Sequence, residues 1–457
     1  MDLFNPSDPR PVHFVGIGGA GMSALALIAR RRGVAVSGCD PDPSGAIDVA
    51  ALGAEVSSAH DPAHAVGARA LVYTAAVPAD HAELVRAREL GVPVVPRKEA
   101  LAQLVAGGTV VGIAGTHGKT TTTVMTTEAL AAAGLAPTGL AGGRVGQWGG
   151  NARLDGDALF VVEADEYDKA FLALHPAVAV VNNVEADHLE CYGSFEALEE
   201  AFATFAGRAR IRLVGVDDPG AARLAARLGP GTLRFGAAKD AELRISAVRQ
   251  EEEWTSATVR LPGRDGVTLR LRVPGLHNLR NATAALGVVH ALGGSVEAAL
   301  GALAEFRGVG RRFERLGDAG GVTLVDDYAH HPTELVATLE AARQAFPGRR
   351  LVAVFQPHLF SRTQAHSAAM GRALAAADVA VVTEVYAARE KPVPGVSGSL
   401  VVEAARAAGA DVHFAPVRSA VADVVRRLLV PGDVLLTLGA GDITRLGPEL
   451  AIGLRAG

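Results

Sequence analysis

The chain has 457 residues, a length that suits about three domains, and its 49% apolar and 20% charged residues exclude a disordered polymer. Its 44 basic and 49 acidic side chains leave a net charge of −5, and the basic ones are almost all arginines scattered along the chain, which argues against a nucleic-acid footprint. No stretch of about 18 residues is both uncharged and strongly apolar, as a membrane span requires, and residues 1–10 lack the apolar core of a secretory signal, so a cytoplasmic protein is expected.

The first predicted strand, 12–15, runs into Gly16-Ile17-Gly18-Gly19-Ala20-Gly21 and a helix over 22–31. This is G-x-G-x-x-G between a strand and a helix, where glycines allow a tight turn and helix-start amides favour a diphosphate. The next strand, 34–40, ends in Asp40, an acid placed to accept hydrogen bonds from a ribose. Alone, the pattern serves a nicotinamide dehydrogenase, another nucleotide-diphosphate ligand, or mere close packing. Cys39 and Cys191 fit no metal spacing and read as structural thiols, with no disulfide expected in a reducing compartment.

Gly107-Gly108 marks a boundary, and a strand over 109–115 leads through 116–123 into a helix over 124–134. Loop amides and Lys119 suit the β- and γ-phosphates of ATP, and the Thr120 hydroxyl suits Mg²⁺. The loop departs from the strict phosphate-loop pattern because Ile113 stands where the first glycine belongs, between Gly112 and Gly115. Strand 159–164 then delivers Glu163, Asp165 and Glu166, and strand 178–183 delivers Glu185, Asp187 and His188. These strand ends are expected to share a rim with the phosphate loop, which makes His188 a candidate metal ligand.

Residues 242–273 alternate polar and apolar side chains and predict an antiparallel hairpin with Glu251 to Glu253 in its turn. The arginine-rich stretch 307–314 marks a second boundary. Beyond it, 322–335 places Tyr328, His330, His331 and Pro332 after a strand, with the proline suited to a first helical turn. Strand 351–355 leads to His358 and Arg362, ahead of a helix over 363–377.

These residues fall into motifs: HFVGIGGAGMSALA (13–26), GTHGKTTTT (115–123), VVEADE (161–166), NVEADH (183–188), HNLRNATAAL (277–286), GVGRRFE (308–314), DDYAHHPTE (326–334) and GAGDI (439–443). In this order they resemble the Mur ligases, ATP-dependent amide-forming enzymes of peptidoglycan synthesis. The resemblance implies an α/β chain of three domains. Residues 1–107 would form a Rossmann-like UDP-sugar domain. Residues 108–312 would form a central ATP domain of phosphate-loop type, with a mostly parallel sheet and an antiparallel appendage. Residues 313–457 would form a Rossmann-like amino-acid domain.

By the same resemblance, Gly16, Gly18, Gly19, Gly21, Met22 and Asp40 meet the UDP-sugar. Gly115, Thr116, His117, Gly118, Lys119, Thr120 and Thr121 hold ATP phosphates, while His277, Asn281 and Arg311 meet the rest of the nucleotide. Thr120, Glu163 and His188 hold metal, expected as two Mg²⁺ ions with Mn²⁺ as a substitute. Tyr328, His330, His358 and Arg362 surround the amino acid, with His330 as the base for its amine. The substrates implied are ATP, UDP-N-acetylmuramate and L-alanine, with no nucleic-acid or membrane partner; the oligomeric state is left open. Leu359 and Phe360 stand where some relatives carry Arg and Tyr, so Arg362 is expected to hold the carboxylate without a second arginine. Residues 170–238 contain no lysine, which excludes the carbamylated lysine of several Mur ligases that add later amino acids. A ligase adding a murein tripeptide and a nucleotide sensor or mechanical ATPase are the alternative readings.

Overall fold

The computed structural model describes residues 2–251, 254–388 and 390–455. By packing, the chain divides into two units: Met1–Val248 with Ala257–Arg270 and Leu279–Phe306, and Arg249–Ser256 with Leu271–Asn278 and Arg307–Gly457.

The first unit begins with a parallel sheet of β1 (Val12–Val15), β2 (Val36–Cys39), β3 (Glu55–Ser57), β4 (Ala70–Tyr73) and β5 (Val94–Pro96), in the order β3-β2-β1-β4-β5. All four residues of β1 are buried, as a central strand covered on both faces requires. The strand order reverses beside β1, so the loop after β1 opens at the crevice where such sheets bind ligands. The helix Ala20–Arg31 starts two residues before the sequence reading and buries the run Met22–Ala29.

A ten-stranded sheet follows: β6 (Thr109–Ala114), β7 (Pro137–Val145), β8 (Gly150–Leu154), β9 (Leu159–Glu163), β10 (Val178–Val181), β11 (Ile211–Gly215), β12 (Thr232–Gly236), β13 (Leu243–Gln250), β14 (Thr255–Leu261) and β15 (Arg264–Leu271). Strand β6 lies between β10 and β9, parallel to both, which sets the phosphate loop beside the two acidic strand ends. The expected hairpin over 242–273 is instead a succession of three strands, because Pro262-Gly263, with Gly263 at φ +71°, makes a second turn. Glu251 N donates to Trp254 O at 2.7 Å across the first turn; Glu252 and Glu253 lie outside the described residues. Helix Ala20–Arg31 packs on β7 and β8, where Arg31 donates to the carbonyls of Ala152 and Trp148 at 2.6 and 2.9 Å.

The second unit is built on β16 (Glu314–Ala319), β17 (Val322–Asp327), β18 (Leu351–Phe355), β19 (Val379–Thr383), β20 (Val412–Ala415) and β21 (Val434–Leu438), ordered β16-β17-β21-β18-β19-β20. Among the described residues of this sheet, only β16 runs antiparallel to its neighbour. Alternate residues divide between two cores: Val325, Ala353 and Leu436 face one, and Leu324, Val352 and Leu435 face the other. The C-terminal ends of β17, β21 and β18 lie side by side, which gathers 326–334, 439–443 and 356–362 at one rim. Among the described residues no helix is long and apolar enough to cross a membrane.

Candidate active site

Buried β6 delivers the phosphate loop, and two glycines make its turns: Gly115 at φ +135° and Gly118 at φ +79°. A Cβ on Gly115 would lie 2.9 Å from Asn182 Cβ, and one on Gly118 would lie 2.8 Å from Asn281 Oδ1, so neither position admits a side chain. The helix Lys119–Ala132 starts at Lys119, earlier than the sequence predicts, because the threonine run 120–123 is buried against neighbouring elements. Asn183 accepts the His117 amide on its side chain at 2.7 Å and the Thr116 amide on its carbonyl at 3.2 Å. The Thr116 hydroxyl accepts the Glu185 amide at 2.9 Å, and His117 Nε2 lies 3.6 Å from Glu185 Oε2. Thr121 is buried in the first turn, and Asn281 accepts the Thr122 hydroxyl at 3.1 Å.

Lys119 Nζ donates to the Gly115 carbonyl at 2.7 Å and lies 2.8 Å from each carboxylate oxygen of Glu166. Burial works against the ammonium, but the carboxylates of Glu166, Asp165 and Glu163 overcome it and raise the Lys119 pKa, so the charge is held. Burial also pushes the Glu166 carboxyl up, against the pull of Lys119. The oxygens of these three acids, which all act on Lys119, and of the buried Thr120 hydroxyl are hard donors of the kind Mg²⁺ takes. Glu163 ends β9 and accepts the Gly142 amide. His188 sits at φ +55°, with Nδ1 3.5 Å from Glu190 Oε1, Nε2 3.7 Å from Asp187 Oδ2 and its ring edge-on to Tyr167 at 5.1 Å. The residues present therefore fit divalent cations.

In the first glycine loop, a Cβ on Gly16 (φ +84°) would meet Thr74 at 2.9 Å, and one on Gly18 would meet Asp42 O at 2.4 Å. The amides of Gly16 and Ile17 donate to Cys39 O at 2.8 and 3.1 Å, and that of Gly19 to Gly16 O at 3.2 Å. Asp40 accepts the Gly18 amide at 3.0 Å and the Asp42 amide at 2.9 Å, so this carboxylate braces the loop. Gly21 lies against Arg97. Met22 places its side chain in the core, 1% exposed, and its amide donates to Gly19 O at 2.9 Å.

In the second unit, Pro332 opens the helix Pro332–Ala345, and His331 with Glu334 forms a capping box before it. His330 Nδ1 lies 2.9 Å from Tyr328 O and 3.2 Å from Glu334 Oε2. The His330 ring stands edge-on to Tyr328 at 5.2 Å and to His358 at 5.8 Å. Arg362 is 6% exposed and reaches His358 Nδ1 at 3.3 Å from the first turn of helix Phe360–Leu374. Tyr328, His330, His358 and Arg362 are thus brought together at one rim. Leu359 and Phe360 are buried, and Leu359 holds φ +67° as the helix cap. Arg311 and Arg312 both cover the Tyr328 ring, at 4.8 and 4.6 Å, and Arg311 donates to Gly439 O at 2.7 Å in the GAGDI turn. Burial pushes the Asp327 carboxyl up to about 6 despite Arg312. His277 lies against Gly275, where a Cβ would come within 2.6 Å of the imidazole, so the missing side chain makes room for the ring.

Sequence reasoning missed Glu166 as the partner of Lys119, Asn182 and Asn183 as braces of the phosphate loop, and Tyr386, which stacks on His358 at 5.8 Å. The acidic run 163–166 signalled the first. Which acid faces Lys119 depends on the tight turn that follows, with Asp168 and Lys169 at positive φ, and no pattern announces that.

Residues 11–109 match the Mur ligase family catalytic domain, 113–289 the Mur ligase middle domain and 311–441 the Mur ligase glutamate ligase domain. The UDP-N-acetylmuramate–L-alanine ligase of Cutibacterium acnes is 44% identical over 465 residues, covering 100% of this chain and 98% of the relative. The enzyme of the same name from Kineococcus radiotolerans is 48% identical over 450 residues, covering 96% and 95%. The crystal structure of the UDP-N-acetylmuramate-alanine ligase of Thermotoga maritima superimposes with a TM-score of 0.85 at 30% identity, over 98% of this chain and 99% of that one. With the phosphate loop, its acidic rim and relatives that match from end to end, the chain belongs to the Mur ligase family.

Proposed function

We propose that this protein joins L-alanine to the lactyl carboxylate of UDP-N-acetylmuramate, converting ATP to ADP and phosphate, in peptidoglycan precursor synthesis in the cytoplasm. The observation that carries the reading is the Lys119–Glu166 pair at the phosphate loop, in a chain that matches alanine-adding relatives along its whole length. The division of labour follows the domains 1–107 for the UDP-sugar, 108–312 for ATP and 313–457 for the amino acid.

Amide formation from a carboxylate requires a better leaving group than oxide. The lactyl carboxylate attacks the γ-phosphorus of ATP and forms an acyl phosphate. Lys119 stabilises charge on the transferring oxygens, and the amides at the start of helix Lys119–Ala132, from Gly118 to Thr121, cradle the phosphates, while those of Thr116 and His117 stay with Asn183. Thr120, Glu163 and His188 would hold the divalent ions, two Mg²⁺ or Mn²⁺ in their place, which supply charge neutralisation of the triphosphate. Asn281, His277 and Arg311 serve the nucleotide. Arg362 grips the alanine carboxylate with its planar fork, next to His358 and Tyr328. His330 takes the proton from alanine's ammonium, its ring oriented through Nδ1 by Tyr328 O and Glu334. The free amine attacks the acyl carbon and phosphate leaves.

The test is phosphate release measured with UDP-N-acetylmuramate crossed against each amino acid and against a murein tripeptide. Release that needs both the sugar nucleotide and L-alanine is the expected result. Tripeptide dependence, or equal ATPase activity without the sugar, would overturn the assignment.

A further inference from the structure

Cys39 closes β2 inside a cluster that the ligase reaction does not use. Its sulfur lies 3.4 Å from His13 Nε2, 3.2 Å from His60 Nδ1 and 3.2 Å from each oxygen of Glu83. Glu83 is fully buried, and its Oε1 lies 2.8 Å from His64 Nδ1 and accepts the Asp61 amide at 2.8 Å. The His13 and His64 rings are 4.8 Å apart. One ligand atom from each of His13, Cys39, His64 and Glu83 lies within 4.8 Å of all the others. Beside them His81 Nδ1 is buried with no hydrogen-bond partner, 4.0 Å from Glu83 Oε2.

We infer that His13, Cys39, His64 and Glu83 form a structural binding site for one zinc-type divalent ion. Four-coordinate zinc, with bonds of about 2.0–2.3 Å, holds its ligand atoms roughly 3.3–3.8 Å apart. The 3.4, 3.2 and 2.8 Å separations in the cluster approach those edges, so small side-chain rotations admit the ion. A thiolate with two imidazoles selects zinc or cobalt over magnesium. The thiolate and carboxylate together carry the charge that balances a divalent cation, which removes the penalty of an uncompensated buried acid. On binding, the Cys39 S–H bond is exchanged for a sulfur–metal bond and the proton leaves to solvent; nothing is oxidised or reduced.

The ligands come from four elements: His13 from β1, Cys39 from β2, His64 from the short turn Pro62–Ala65 and Glu83 from the first turn of helix Ala82–Glu89. Four protein ligands leave no position for a reacting water, which marks a tie and not a hydrolytic centre. The tie acts on the UDP-sugar loop, because the Cys39 carbonyl accepts the Gly16 and Ile17 amides.

The test is titration of the metal-free full chain with Co²⁺. A thiolate-to-cobalt charge-transfer band with tetrahedral d–d bands, saturating near one equivalent, is expected; Zn²⁺ abolishes it and excess Mg²⁺ leaves it. The band persists in Cys191→Ser and is lost in Cys39→Ser. Absence of the band in the unsubstituted protein, or its loss in Cys191→Ser alone, overturns the inference. Should Cys39→Ser fail to fold, the unsubstituted and Cys191→Ser titrations decide.

Discussion

Lys119 and Glu166 form an ion pair in which both carboxylate oxygens lie 2.8 Å from the ammonium, with the lysine side chain 15% and the glutamate side chain 2% exposed. The pair brings the positive charge to the phosphate loop and compensates an acid that burial would otherwise neutralise. Function and stability therefore meet at one side chain.

Lys119→Ala is expected to cut turnover by orders of magnitude while leaving UDP-sugar affinity, measured by calorimetry, nearly intact. It also strands Glu166, and breaking a buried pair costs about 3–5 kcal/mol. Adding Glu166→Gln to Lys119→Ala should recover part of the lost melting temperature but none of the activity. Recovery of activity, or equal loss of sugar binding in the single variant, would contradict this division.

Glu163→Gln should raise the Mg²⁺ concentration needed for half-maximal phosphate release and leave the Michaelis constant for alanine unchanged. Chelation of divalent ions should abolish release in the unsubstituted enzyme. An unchanged Mg²⁺ requirement in the variant would remove Glu163 from the donor set.

Arg362→Lys should mainly raise the Michaelis constant for alanine, because lysine keeps the charge and loses the fork. A charge-assisted hydrogen bond is worth roughly 1.5–3 kcal/mol, so the weakening is about tenfold to a hundredfold. Steady-state kinetics varying one substrate at a time, paired with a melting curve, checks it. A lower melting temperature with an unchanged alanine constant would make Arg362 a brace of its helix.

Asp327 supplies a pH signature. Its folded pKa of about 6 lies above the ordinary 3.8, so the native state keeps a proton that the unfolded chain has released between those values. The associated stability is complete below pH 3.8 and is lost as pH rises through about 6, a change of about 3 kcal/mol. Asp327→Asn removes the titration and one of the two acceptors used by the Phe313 and Ala329 amides. The melting-temperature gap between the two proteins should therefore be widest near pH 4 and narrower at pH 7. A gap that widens with rising pH would refute it.

Much of this was readable in advance because chemistry and backbone shape coincide in the glycine loops. Gly16, Gly115 and Gly118 stand at positive φ after a buried strand, and the strand-end acids follow from parallel topology. Less was readable where a side chain has two uses. Met22 follows the glycine loop yet packs in the core, and Asp40 braces backbone amides besides any ligand it meets. The cluster around Glu83 was invisible for another reason: its members come from separate elements, and only the fold brings them together.

Because the amides of Gly16 through Gly19 are already committed within the first glycine loop and to Asp40 and Cys39, the loop is shaped before any sugar nucleotide arrives. Among the described residues, this leaves the first-turn amides of Ala20 and Gly21 to receive the diphosphate. A ligand docking there orders almost no backbone, so little binding free energy is lost to conformational entropy. Amide exchange at Gly16 and Ile17 should accordingly be slow in the free protein and change little on saturation with the UDP-sugar.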